Sequence, residues 1–176
     1  MVRSAAIIGA GMAGLACATR LAAAGCEVRL FDKGRHPGGR LSSKSLSAGG
    51  QDFVFDYGAQ YLTARDPAFE AQIAEWEQAG VLTHWPAAAE DAWVGVPRMA
   101  AIVAHMAENL AVRWSTPIRA VERDAAGWAL IHDEAHEGPF DTLILAVPAD
   151  QLPLLIATQD PLLAERAAAC RTHAGR

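Results

Sequence analysis

The sequence carries little reactive side-chain chemistry. Cysteine is scarce: Cys17, Cys26 and Cys170 are the only three, odd in number and widely spaced. Such a set excludes a disulfide framework and offers no zinc-ligand spacing. Cys17 falls in an Ala-rich stretch and Cys26 beside an apolar one, the usual setting of buried thiols. The histidines are scattered, and none sits in H-E-x-x-H or another metal spacing. No Gly-x-Ser-x-Gly elbow and no nucleophilic cysteine context occurs. Long hydrophobic runs are missing as well: none reaches the roughly 20 residues of a membrane span. Positive charge is in deficit, with 15 Lys and Arg against 20 Asp and Glu. That balance argues against a general nucleic-acid surface, which needs clustered cations. The first apolar strand begins almost at Met1, and glycines stand where a leader would be cleaved. A cytoplasmic location is therefore expected.

What the sequence does have is concentrated in Ile7–Asp32, which reads I-I-G-A-G-M-A-G-L-A-C-A-T-R-L-A-A-A-G-C-E-V-R-L-F-D. An apolar strand runs into Gly9, Gly11 and Gly14, an Ala-rich helix follows and stops at Gly25, and a second strand ends on Asp32. Strand, Gly-x-Gly-x-x-Gly, helix, strand and acid in this order form a dinucleotide fingerprint. Gly9 allows the tight turn, Gly11 lets a pyrophosphate approach the backbone, and Gly14 lets helix and strand pack closely. The helix N-terminus offers free N–H groups and a partial positive charge to phosphates. Asp32 lies eighteen residues beyond Gly14, near the spacing of an acid that binds a ribose hydroxyl. An acid there suits an unphosphorylated ribose, as in FAD or NAD.

Lys33–Leu41 comes next as K-G-R-H-P-G-G-R-L. Gly38 and Gly39 bend the backbone, and the planar fork of Arg40 suits phosphate, although a solvated loop with a stray Arg fits equally well. Two strand-like runs flank Gly49 and Gly50 and predict a hairpin. In the next segment Gly58 and Ala59 are small enough to let a flat ring approach, and Gln60 both donates and accepts. For Tyr57 and Tyr61, packing ranks above a catalytic role. Asp66 and Pro67 predict a helix start, and Gly80 its end. Trp76, Trp85 and Trp93 cluster in sequence, and core or interface packing is preferred to a pocket for them. A helix is expected over about 98–108, strands over Leu110–Trp114, Ile118–Arg123 and Trp128–His132, and a short strand at Pro139–Phe140. Asp141–Val147 reads as a parallel strand buried on both faces, with a ligand edge at its end.

The ordered set I-I-G-A-G-M-A-G-L-A (7–16), F-D-K-G (31–34), P-G-G-R (37–40), D-Y-G-A-Q-Y-L-T-A-R-D-P-A-F (56–69), V-G-V-P (94–97) and L-A-V-P (145–148) resembles bacterial renalase-like flavoproteins of the amine oxidase-like class. The resemblance spans about residues 2–157. It implies an α/β fold with a Rossmann-like FAD-binding domain (residues 1–62 and 97–157), part of a mixed-sheet substrate domain (63–96) and a helical tail (158–176). Members run to nearly twice this length, so the chain is expected to correspond to their N-terminal half. The resemblance implies FAD as cofactor, with Gly9, Ala10, Gly11, Met12, Ala13 and Gly14 around the pyrophosphate. Asp32, with Lys33 beside it, would meet the adenosine ribose, and Gly39 and Arg40 the phosphate region. Gly58, Ala59, Gln60 and Tyr61 would lie near the flavin, and Val121 in the strand that meets the adenine. The implied activity passes a hydride from a dihydronicotinamide isomer or an amine to the flavin, with O2 as final acceptor. The implied partner is a small-molecule substrate, without nucleic acid or membrane. A dinucleotide-binding fragment without turnover and an NAD-linked dehydrogenase are the alternatives.

Overall fold

In the computed structural model, which describes residues 2–133 and 135–170, β1 (Ser4–Ile8) is buried on both faces from Ala5 onward. After it come α1 (Met12–Ala23), β2 (Glu27–Phe31), β3 (Ser43–Ala48), β4 (Gln51–Asp56) and α2 (Pro67–Gln78). The chain continues through β5 (Leu82–His84), β6 (Trp93–Gly95), α3 (Ala100–Ala107), β7 (Ala111–Arg113), β8 (Ala120–Arg123) and β9 (Trp128–His132). It closes with β10 (Ala135–Phe140), β11 (Thr142–Leu145), α4 (Leu152–Ile156) and α5 (Pro161–Ala169). Two compact units result: Met1–Arg35 with Leu110–Arg176, and His36–Asn109. Within the second, residues 36–62 bond among themselves and to Trp93 and Met99.

The first unit is built on a parallel sheet of order β11-β1-β2-β7. Ile7 pairs with Leu30 and Ile8 with Phe31. Paired residues point the same way and successive ones alternate. Ile7 and Leu30 therefore face α1, which packs on β1 and β2 through its buried Leu15 and Ala18. The small side chains of α1 let it come close. Its end is closed by Gly25 N–H to Ala22 C=O and Cys26 N–H to Leu21 C=O, the Schellman pattern. On the other face Ala6, Ile8 and Phe31 join Val121, Leu130, Phe140 and Leu155 in one core. That core covers the sheet with the antiparallel set β10-β9-β8. Of the expected buried thiols, Cys26 is buried and Cys17 half-buried.

The expectation for Asp141–Val147 needs correcting. β11 is an edge strand with one neighbour, β1, and every residue of it is half-buried rather than buried. Its apolar run packs on the core with one face and leaves the other partly open. The start of β11 is nonetheless tied firmly to β1. Asp141 Oδ2 accepts the N–H groups of Arg3 at 2.8 Å and Ser4 at 2.9 Å, and the Asp141 N–H donates to Ser4 Oγ. The N–H of Arg3 first, then that of Ser4, holds the Asp141 carboxyl below its ordinary value. A lowered carboxyl contributes stability above its unfolded value and loses it as pH falls through the folded one. Asp141→Asn should therefore lower the Tm at pH 7. The gap from wild type, followed by circular dichroism, should close as pH drops below the usual 3.8. A gap that persists unchanged in acid would show that the charge is not what matters.

The second unit holds the β3–β4 hairpin, paired from Ser43↔Asp56 to Ala48↔Gln51 around Gly49–Gly50. Helix α2 is capped as expected, with Asp66 Oδ1 accepting the N–H groups of Ala68 and Phe69. Ile73, Trp76, Leu82, Met99, Ile102 and Val103 are buried, whereas Trp85 is exposed, so only part of the tryptophan set is core. The hairpin departs from the half-buried pattern: Leu46, Phe53, Val54 and Phe55 are all exposed. Among the described residues, no helix is long and apolar enough to cross a membrane.

Candidate functional site

Four parallel strands end on the same edge of the first unit, and the residues beyond them are knitted together by backbone contacts. After β1, Gly9 takes φ +102°, a conformation L side chains rarely adopt. A Cβ there would also stand 2.5 Å from the Ala146 carbonyl oxygen. A Cβ on Gly14 would stand 1.9 Å from the Gly9 carbonyl oxygen and 3.3 Å from Ala146 Cβ. Both positions are closed to any side chain by rigid backbone. Gly11 differs: nothing lies within 4 Å of the place its Cβ would occupy. It is the N-cap of α1 and supplies no side-chain cap. Among the described residues the first N–H groups of this helix have no hydrogen-bond acceptor, and they carry a partial positive charge, which is what a phosphate requires. Ala10 is buried, Met12 half-buried and Ala13 exposed.

Asp32 does more than a ribose contact would demand. Its Oδ2 accepts the Ala10 N–H at 2.7 Å, and its Oδ1 accepts the Gly34 N–H at 2.7 Å. The carboxylate therefore braces the glycine loop against the end of β2. A carboxylate has about four acceptor positions, so ribose hydroxyls can still be received. The Asp32 backbone is held by β7 and the turn after it, through Arg113 C=O and the Thr116 N–H. Lys33 reaches Gln151 Oε1 at 3.0 Å. Val121 is 1% exposed and packed in the core, which leaves its backbone rather than its side chain for any ligand.

In the second unit the structure brings together two motifs that lie far apart in sequence. The Ala59 N–H donates to Arg40 C=O at 2.9 Å, and the N–H groups of Tyr57 and Gly58 donate to Ser42 C=O. A Cβ on Gly58 would fall 1.9 Å from the Arg40 carbonyl oxygen. The Arg40 carbonyl thus requires glycine at 58. Gly39 and Arg40 lie in a single 3-10 turn, Gly39–Leu41. Gln60 is exposed, and Tyr61 stacks edge-on against Trp85, as the packing reading expected.

Sequence reasoning missed Ala146. Its part in the glycine loop depends on β11 lying beside β1, with Ala146 just past the end of β11. A groove of about 390 Å³ lies elsewhere in the first unit. It is lined by Arg123, Trp128, Leu143, Leu145, Ile156 and Leu163 among others, none of them an expected site residue. Leu143 and Leu145 place it on the face of β11 that packs toward the core with Ala6 and Ile8. Among the described residues, no group of three or more His, Cys, Asp or Glu could hold a metal ion.

Residues 7–76 match the family model of an NAD(P)-binding Rossmann-like domain. A hydroxyneurosporene desaturase of Cereibacter sphaeroides is 47% identical over 60 residues, which is 34% of this chain and 11% of that protein. A CLA-producing fatty acid isomerase from P. acnes superposes with a TM-score of 0.71 at 15% identity, over 95% of this chain and 63% of that one. Putrescine oxidase, in the wild-type form bound to putrescine, gives 0.65 at 16% identity, over 88% and 60%. These likenesses show a mixed α/β fold that contains a Rossmann-like domain. The chain spans less than two thirds of the length of each of these relatives.

Proposed function

We propose that this chain binds FAD and provides the nucleotide-binding part of an FAD-dependent oxidoreductase. The observation that carries this reading is the glycine loop. Gly9 and Gly14 are closed by backbone, Gly11 is open, and α1 begins there without a side-chain cap. Gly9, Ala10, Gly11, Met12, Ala13 and Gly14 would hold the pyrophosphate, and Asp32 with Lys33 the adenosine ribose. Arg40, with Gly39, is assigned to an anionic group of the same cofactor, and Gly58–Tyr61 and Val121 are assigned to it on the resemblance to renalase-like flavoproteins. The named relatives, a desaturase and a putrescine oxidase, are compatible with redox chemistry. Bound flavin would supply that chemistry by accepting a hydride from a dihydronicotinamide isomer or an amine, with O2 as final acceptor. The chain's own residues bind and orient it. The substrate is a small molecule.

NAD is the second reading, favoured by the description of the matching family model. Both readings are tested on the purified protein. FAD should be retained with its absorbance band at roughly 450 nm, and equilibrium dialysis should show FAD bound in preference to NAD. Gly11→Ala should fold as wild type by circular dichroism, because its Cβ meets nothing, and yet weaken FAD by roughly tenfold or more as the methyl enters the phosphate's space. Retention of NAD but not FAD would reverse the two readings. Unchanged FAD affinity in Gly11→Ala would remove the glycine loop from the site.

A further inference from the structure

We infer that Gly58 and Ala59 are positioning residues whose task is to aim the Arg40 guanidinium at an anionic, phosphate-bearing ligand. This rests on the assignment of Arg40 to the cofactor given above. Arg40 is exposed and has no ion-pair partner among the described residues, so its own side chain fixes nothing. Its backbone is fixed instead. The Ala59 N–H bonds the Arg40 carbonyl at 2.9 Å, and Tyr57 and Gly58 bond Ser42 C=O at 3.0 and 3.4 Å. Gly58 lies so close that its Cβ would overlap the Arg40 carbonyl oxygen at 1.9 Å and its carbon at 2.7 Å. Both are main-chain atoms with no flexible end to yield. The far side of this strut is anchored too: Asp56 Oδ1 accepts Ser43 Oγ–H at 2.7 Å and the Met99 N–H at 3.1 Å. The turn that carries Arg40 is thus clamped to residues 56–59, which are themselves tied to the start of α3. A guanidinium delivers paired hydrogen bonds only when its plane is held in register with the oxygens it meets. A fixed backbone sets where the Arg40 side chain starts and so narrows the region its guanidinium can reach.

Two readouts test this. In ligand-free protein the Arg40 Nε–Hε NMR signal should move in Gly58→Ala and stay in place in Leu46→Ala, an exposed position on the neighbouring hairpin. By dialysis, Gly58→Ala and Arg40→Ala should each weaken FAD roughly tenfold. Combining them should cost nothing further, because the glycine acts only through the arginine. Ala59→Pro deletes the N–H that grips Arg40 and should repeat the result if Gly58→Ala does not fold. An unmoved Arg40 signal, or a Gly58→Ala loss of the same size with and without Arg40, overturns the proposal. If wild-type protein binds no FAD, the cofactor reading falls by itself, and the NMR signal still decides whether residues 58 and 59 set the position of Arg40.

Discussion

Gly14→Ala is expected to destabilise the protein by about 3 kcal/mol or more, the upper end for overpacking. The added Cβ would lie 1.9 Å from the Gly9 carbonyl oxygen and 3.1 Å from its carbon. Relief requires either Gly9 or α1 to move. Gly9 is pinned by its N–H to Phe31 C=O at 2.8 Å and by the Ala146 carbonyl. The helix is pinned by Leu15 and Ala18 against the sheet. Glycine-to-alanine in a helix ordinarily gains up to about 1 kcal/mol, so a loss of several would be a reversal of sign caused by one contact. Urea denaturation measures it directly. A Gly14→Ala protein as stable as wild type would mean that α1 can lift from β1, and the close approach would then not be essential.

Phe31→Ala should cost about 3–5 kcal/mol, the range for a large aromatic removed from a core. Phe31 is fully buried and meets Phe140 edge to face at 6.2 Å. With Phe140 it supplies the largest buried side chains of the core that joins the parallel sheet to β8, β9 and β10. A cavity at that place separates the two layers. Asp32 follows directly, so FAD affinity should fall along with the stability. Phe31→Leu, which keeps most of the volume, should recover much of both. If Phe31→Ala loses less than about 1 kcal/mol, the core collapses into the gap more readily than packed interiors usually do.

What the sequence made legible was local. The strand, glycine loop, helix, strand and acid each carry their own signal, and all five stand where the pattern put them. So do the hairpin at Gly49–Gly50 and the capped helix from Pro67. β9 has its expected bounds, Trp128–His132. What stayed hidden depends on which strand neighbours which. β10 begins at Ala135 rather than Pro139, because Ala-His-Glu-Gly has no apolar alternation and becomes a strand by pairing with β9. β11 reads as central from its apolar run, but its edge position is set by sheet order, which composition does not encode. The pairing of Gly58 with Arg40 is of the same kind: each motif could be read for a ligand, while their mutual contact is a property of the fold. Asp32 was visible as an acid at the right spacing. That both its oxygens are engaged by backbone N–H groups was not.

The backbone-to-backbone packing of Gly9, Gly14 and Ala146 bears on how a nucleotide would be received. A loop closed in this way, and braced by Asp32 through the Ala10 N–H, has lost its conformational freedom during folding. Association then orders little chain, so the entropic penalty that weakens binding by flexible segments is small here. A phosphate would meet a preorganised set of donors, and the recognition would be that of a rigid mould rather than of a strap that must wrap around its cargo.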